Sequence, residues 1–189
     1  MNKIMEQIEL KGKKYCLKTF FCDDVSERYL GWLRDPEVNR FLEVRHKPPD
    51  REAAVENLKH FDNKNAYFFG IYANGEEQPI GTISMEINLI HQIATFGYLI
   101  GEKDYWGEMA SLNACCLFFD FAFIELGLRK LSGGVFAKNI GSIFNYKKLG
   151  FTREAKLRDH HIIDGNPCDI LIFATLKDEW IAQREKFDY

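Results

Sequence analysis

A chain of 189 residues with 28 acidic and 25 basic side chains, and so a formal charge of -3, can bury one sizeable core but offers no electrostatic footprint for nucleic acid or an anionic membrane surface. Its five cysteines are odd in number, lack a C-x-x-C spacing and include the adjacent pair Cys115 and Cys116, which argues against a disulfide frame or a zinc site and fits a reducing compartment. The opening MNKIMEQIEL has no continuous apolar segment, and Asp120 and Glu125 interrupt the one long apolar run, so the expectation is a cytoplasmic protein with neither leader nor membrane span.

Residues 1–6 are expected to be loose. Ile8 and Leu10, then Tyr15 and Leu17, alternate about Lys11-Gly12-Lys13 and predict a hairpin or a strand entered from a turn. Asp24-Val25-Ser26-Glu27 has the spacing of a capping box and opens a helix ending near Arg34. Asp35-Pro36 should restart a short helical stretch to Leu42, because proline suits the first helical position and aspartate the cap before it. Residues 43–49 read as a loop, and Asp50 caps a third helical piece through about Phe61.

The period then changes to two. Residues 67–72 form a strand closed by Asn74-Gly75, and residues 80–90 place Ile83, Met85, Ile87 and Leu89 on one face with Thr82, Ser84, Glu86 and Asn88 on the other. A turn at His91-Gln92 leads to residues 93–100, an antiparallel partner. The run from Leu112 to Leu126 is too long for a strand and reads as a buried helix stopped by Gly127. Residues 130–136 follow it as the second strand of a βαβ crossover. A helix over 139–149 with its stop at Gly150 comes next, then strands over 151–160 and 168–175 joined by Asp164-Gly165-Asn166-Pro167. The charged tail from Leu176 is expected to be a solvated helical cap. This order is α+β around one mixed sheet.

Two loop-to-helix junctions, at residues 105–111 and 137–142, can each aim unpaired N–H groups and a partial positive charge at an anion. Tyr105-Trp106-Gly107-Glu108-Met109-Ala110-Ser111 at the first and the pattern Asn139-x-x-Ser142-x-x-x-Tyr146-x-Lys148-x-Gly150-Phe151 at the second resemble the GNAT superfamily of acyl-CoA N-acyltransferases, in its RimJ/RimL-like branch. The resemblance implies one domain over 1–189, with a central mixed, mostly antiparallel twisted sheet flanked by helices on both faces. It also implies acetyl-CoA as co-substrate. Trp106, Gly107, Glu108, Met109, Ala110 and Ser111 would hold its pyrophosphate, and the main chain of Leu99 and Ile100 would pair with the pantetheine arm, Leu99 supplying the N–H for the thioester. Asn139 would hold that arm, Ser142 would add a hydroxyl contact or cap its helix, and Tyr146 would protonate the departing sulfur.

Met109 stands where the family has a second glycine, and Trp106 where it has Gln or Arg, so a narrowed cradle and weaker cofactor binding are expected. Thr95 replaces the usual fourth-strand Glu, which leaves the general base open among Glu86, Glu43, His46 and a water chain. The resemblance leaves the acceptor amine open too. Residues 32–39, 42–45 and 139–142 resemble the members that work on nucleotide-linked amino sugars, which implies such an acceptor, whose diphosphate would meet Arg45, His46 and Lys47. A ribosomal-protein N-terminus or a polyamine is the rival, and a catalytically silent module binding coenzyme A or a partner protein, suggested by Met109 and Thr95, is the alternative of another class. Cys115 and Cys116 lie within the buried helix without a base nearby in sequence, so direct transfer to a small-molecule amine is expected rather than a covalent enzyme intermediate. The strand after the closing turn is a candidate edge for a homodimer.

Overall fold

The computed structural model describes residues 6–189, so the expectation for the extreme N-terminus falls almost wholly outside the described residues. One open eight-stranded sheet runs in the order β1-β2-β3-β4-β5-β6-β8-β7, where β1 is Glu9–Lys11, β2 Tyr15–Thr19, β3 Ala66–Ala73, β4 Gly81–Asn88, β5 Ile93–Ile100, β6 Lys130–Phe136, β7 Thr152–Ile163 and β8 Asn166–Leu176. Every neighbouring pair is antiparallel except β5 and β6, which the crossover helix α3 (Ala110–Asp120) joins in parallel.

Alternation along the strands gives each face its own core. Phe69 lies among Phe96, Phe118, Phe119, Phe121 and Trp180 under α3, whereas its neighbour Phe68 lies among Phe20, Leu30, Trp32 and Leu58 under α1 (Glu27–Arg34) and α2 (Arg51–Leu58). The helices therefore cover both faces, as the sequence predicts.

Local departures have local causes. Ser26, not Asp24, caps α1, its Oγ accepting from the Tyr29 amide, while the Asp24 carboxylate accepts from the Phe21 amide around the preceding 3-10 turn. The expected short helix to Leu42 is instead a series of turns, started by Asp35, whose Oδ1 accepts from the amides of Glu37 and Val38. α2 ends at Leu58, before Phe61. The long apolar run is α3 followed by a π-helical turn, Phe121–Glu125, stopped by Gly127 as expected.

The tail is not the solvated cap the sequence suggests. α5 (Lys177–Ile181) buries Trp180 completely, and its indole donates to Asp120 Oδ1 at 2.8 Å. Arg184 and Tyr189 each donate to Asp120 Oδ2 at 2.5 Å. Asp120 interrupts an apolar run because it accepts from three donors of the chain end.

The sheet parts in its middle. β4 and β5 pair over eight positions from Gly81↔Ile100 to Asn88↔Ile93, but β5 and β6 share only Ile93↔Lys130, Ala94↔Leu131 and Thr95↔Ser132. Beyond Thr95 the two strands separate, and β6 continues against β8 alone. Tyr146, on α4 (Ile140–Lys148), is wedged at the parting: its ring stacks on Phe173 with centroids 5.0 Å apart, and its hydroxyl rests on Gly133. A Cβ at residue 133 would lie 1.9 Å from that oxygen and 3.2 Å from the Phe96 carbonyl oxygen, so only glycine fits.

Candidate active site

The parting opens into a cleft of about 1250 Å³ that runs from the α3 and α4 N-termini, between the diverging strands, to the loops around α1 and α2. Its first end is an anion cradle made of main chain. The amides of Gly107, Met109, Ala110, Ser111 and Leu112 have no acceptor among the described residues, and they gather at the start of α3. Gly107 at φ +85° and Met109 at φ +63° turn the chain so that this happens. Met109 thus adopts the glycine-like conformation itself, and its exposed side chain has Sδ 3.4 Å from Lys148 Nζ.

The other residues expected in the cradle divide by role. The amides of Trp106 and Glu108 are spent on the carbonyls of Lys103 and Tyr105, and the Glu108 carbonyl accepts from the Tyr15 hydroxyl. Trp106 lines the cleft with its indole, which donates to the Ile100 carbonyl at 2.9 Å. Ala110 is sealed in the core and offers only its amide. Leu112, not anticipated from the sequence, adds a free amide.

Strand parity decides which groups of β5 face the parting. The carbonyls of Phe96 and Ile100 point away from β4, one towards Gly133 and the other towards Trp106, whereas the Leu99 carbonyl lies against Gly81 of β4. Because N–H and C=O of one residue in a strand share a direction, Tyr98 and Ile100 turn their main chain to the parting and Leu99 turns its own to β4. Tyr98 and Ile100, and not the expected Leu99, are therefore the residues whose main chain is open to the parting.

α4 brings its residues to the same place. Asn139 caps the helix, its Oδ1 accepting from the Ser142 amide at 3.1 Å, so the capping role falls to Asn139 and Ser142 Oγ faces Tyr98 Oη at 3.5 Å. Asn145 donates to both Tyr98 Oη and Ser111 Oγ at 2.9 Å. Burial pushes the Tyr98 phenol up to about 12 and the Tyr146 phenol still further above its ordinary range. The Tyr146 hydroxyl has no protein partner among the described residues. All five cysteines are free, and burial drives the thiols of Cys115 and Cys116 upwards, so neither supplies a thiolate nucleophile.

The far end of the cleft is lined by three carboxylates, Glu37, Glu43 and Glu86, and one lysine, Lys47. Glu86 stands directly across from Thr95 in the β4–β5 ladder, so a carboxylate is present one strand away from the position it vacates. Among the described residues the one basic side chain within 4 Å of it is His60, at 3.7 Å. Glu43 lies 3.6 Å from both Arg45 Nη1 and His161 Nε2. His161 also lines the cleft, brought there by the register shift in β7 after Leu157, and its Nδ1 is buried without a partner among the described residues. Nothing in the linear pattern announces it. His46 is exposed and does not line the cleft.

A parted sheet with free amides at one end and carboxylates at the other has the shape and chemistry that suit a long phosphate-tailed ligand lying against a second substrate. Residues 16–152 match the family described as "Acetyltransferase (GNAT) domain", and the chain belongs to that family. It is an N-acetyltransferase using acetyl-CoA, and the free amides, the glycine at 133 and the unpartnered phenol fit that co-substrate. It is 30% identical over 132 residues to "Probable N-acetyltransferase YjcK" of Bacillus subtilis (strain 168), covering 68% of this chain and 72% of that protein. Spermidine N(1)-acetyltransferase of Escherichia coli (strain K12) is 28% identical over 127 residues, 67% of each chain. The crystal structure of spermidine N-acetyltransferase from Vibrio cholerae in complex with CoA and spermine superimposes with a TM-score of 0.80 at 20% identity, over 89% of this chain and 98% of that one, a likeness of fold. Among the described residues no helix is long and apolar enough to cross a membrane.

Proposed function

We propose that the cleft transfers an acetyl group directly from acetyl-CoA to a small cationic primary amine of the polyamine class. The observation that carries the acceptor class is the pair of exposed carboxylates in the acceptor bay, Glu43 and Glu86, against one lysine, Lys47; the third carboxylate, Glu37, is paired with Lys103 at 2.6 Å. The spermidine acetyltransferases among the similar proteins support it. The nucleotide-linked amino sugar expected from the sequence loses the basic side chains that would meet its diphosphate. Arg45 is spent internally, donating to the carbonyls of Leu42 and Ile162 and lying over Phe136, His46 lies outside, and only Lys47 remains to meet a diphosphate.

When bound, acetyl-CoA supplies an activated thioester. The amides at the start of α3 hold its phosphates, and the main chain of Tyr98 and Ile100 orients its arm in the parting. Asn139 lines the same stretch, although its Oδ1 already caps α4. Glu43 anchors the acceptor, which arrives as an ammonium ion and must lose a proton before its nitrogen can attack. Glu86, the least paired carboxylate of the bay, takes that proton, directly or through water. Tyr146 holds a proton at its hydroxyl, where the departing sulfur needs one, and burial keeps it there at any physiological pH.

The test is release of free thiol from acetyl-CoA with spermidine, a nucleoside-diphosphate amino sugar and a ribosomal-type N-terminal peptide offered separately. Saturable release with spermidine alone is expected. Release with the amino sugar alone would reverse the acceptor assignment. Coenzyme A binding with no turnover of any amine would favour the silent module.

A further inference from the structure

Five glycines stand inside strands, and three of them have a reason in the fold. A Cβ at Gly70 would lie 2.8 Å from the Tyr72 ring, at Gly81 2.2 Å from the Leu99 carbonyl oxygen and at Gly133 1.9 Å from the Tyr146 hydroxyl. Gly97 on β5 and Gly134 on β6 have no such reason. A Cβ at Gly97 would meet nothing within 4 Å, one at Gly134 only methyl groups of Ile170 and Ile172 at 3.4 and 3.5 Å, and neither glycine has a positive φ. A small strand-forming side chain would fit at both places and strengthen the sheet, because glycine inside a strand adds freedom to the unfolded chain and gives nothing to pack.

Their position gives the two glycines a common purpose. The parallel pairing of β5 and β6 ends at Thr95↔Ser132, and Gly97 and Gly134 are each two residues further on, the first positions of that face on either side of the parting. Gly97 pairs with Ser84, which pairs in turn with Phe68, and Thr95 pairs with Glu86, so both glycines are on the face that carries α1, α2 and Glu86. Both are exposed, and both line the cleft. Facing layers on a sheet are about 10 Å apart, so side chains about 5 Å deep hold whatever lies on a sheet away from its backbone. A thioester lying between the diverging strands is level with the main chain of Tyr98, below that layer. At Gly97 and Gly134 the layer is missing from both lips of the parting.

We propose that Gly97 and Gly134 form the doorway through which the acceptor amine descends from the carboxylate bay to the thioester, and that side-chain size at these two positions sets which amines reach it. This rests on the cleft being the site of direct transfer from acetyl-CoA. The test uses Gly97→Ala, Gly97→Val and Gly134→Val, each assayed for thiol release from acetyl-CoA with spermidine, titrated calorimetrically with coenzyme A and melted without ligand. The expected result is a melting temperature no lower than that of the unmodified protein, a coenzyme A Kd within about twofold of it, and kcat/KM for spermidine lowered about tenfold by valine and less by alanine. Valine variants that bind coenzyme A and keep kcat/KM within about twofold overturn the doorway and leave the transfer reading intact. Failure to fold or a lower melting temperature at both positions overturns it too, since the fold itself would then demand the glycines. Loss of coenzyme A affinity in step with kcat/KM does the same, because the side chains would then be obstructing the cofactor. If the unmodified protein releases thiol with a nucleoside-diphosphate amino sugar or an N-terminal peptide instead of spermidine, the comparison is made with that amine, so the acceptor class and the doorway are judged separately. Coenzyme A binding with no turnover of any amine overturns both.

Discussion

The two ends of the cleft are built on different principles. At the cofactor end the functional groups belong to the core: Tyr146 is 4% exposed and stacked on Phe173, and Tyr98, Asn145 and Ser111 restrain one another. At the acceptor end the side chains of Glu43 and Glu86 are 64% and 69% exposed and are held only by contacts of 3.6 to 3.7 Å. A group fixed by packing cannot move without disturbing the sheet, whereas a group on an exposed loop or strand end can be exchanged at little cost to the fold. The common step, handling the thioester, is thus set by the interior, and the choice of amine by the surface.

Substitutions at the two ends should differ accordingly. Tyr146→Phe removes the proton donor and keeps the ring stack, so kcat should fall about 100-fold with coenzyme A affinity unchanged in calorimetry. In the unmodified enzyme the raised phenol pKa means that no alkaline loss of kcat from this group appears below about pH 10, which a pH–rate profile checks. If Tyr146→Phe retained full kcat, the cofactor end would hold the ligand without taking part in the reaction.

Gly133→Ala drives a methyl group into the Tyr146 hydroxyl and should cost about 2 kcal/mol of stability, read from denaturant unfolding, along with coenzyme A affinity. Glu86→Gln, in contrast, should leave stability within about 0.5 kcal/mol, since the side chain is exposed. Its kcat/KM for the amine should fall about tenfold. An equal loss of stability at both positions would erase the distinction between the two ends.

Met109→Gly is the mildest change. Relief of the left-handed backbone, partly offset by the freedom glycine adds to the unfolded chain, should stabilise the protein by at most about 1 kcal/mol. Coenzyme A affinity should shift by less than about threefold, because the methionine sulfur is turned towards Lys148. A large gain in affinity would show that the side chain does intrude.

The succession of strands and helices, the crossover helix and the loop-to-helix junctions were legible in the sequence, because period-two and helical patterns and glycine stops are properties of neighbours along the chain, and Tyr146 was singled out by a spaced motif that resembles the family's. The anchoring of the tail by Asp120 was not, since a carboxylate in an apolar run looks the same whether it meets water or, as here, Trp180, Arg184 and Tyr189 from the chain end. Nor was the choice of Tyr98 over Leu99, which depends on which strand lies on which side of β5. His161 reaches the cleft through a register shift, and Asn145 acquires its partners from two other elements. Local order follows from covalent neighbours and their periodicity. The site is a meeting of residues distant in sequence, and only the tertiary packing of strands and helices brings them within hydrogen-bonding range.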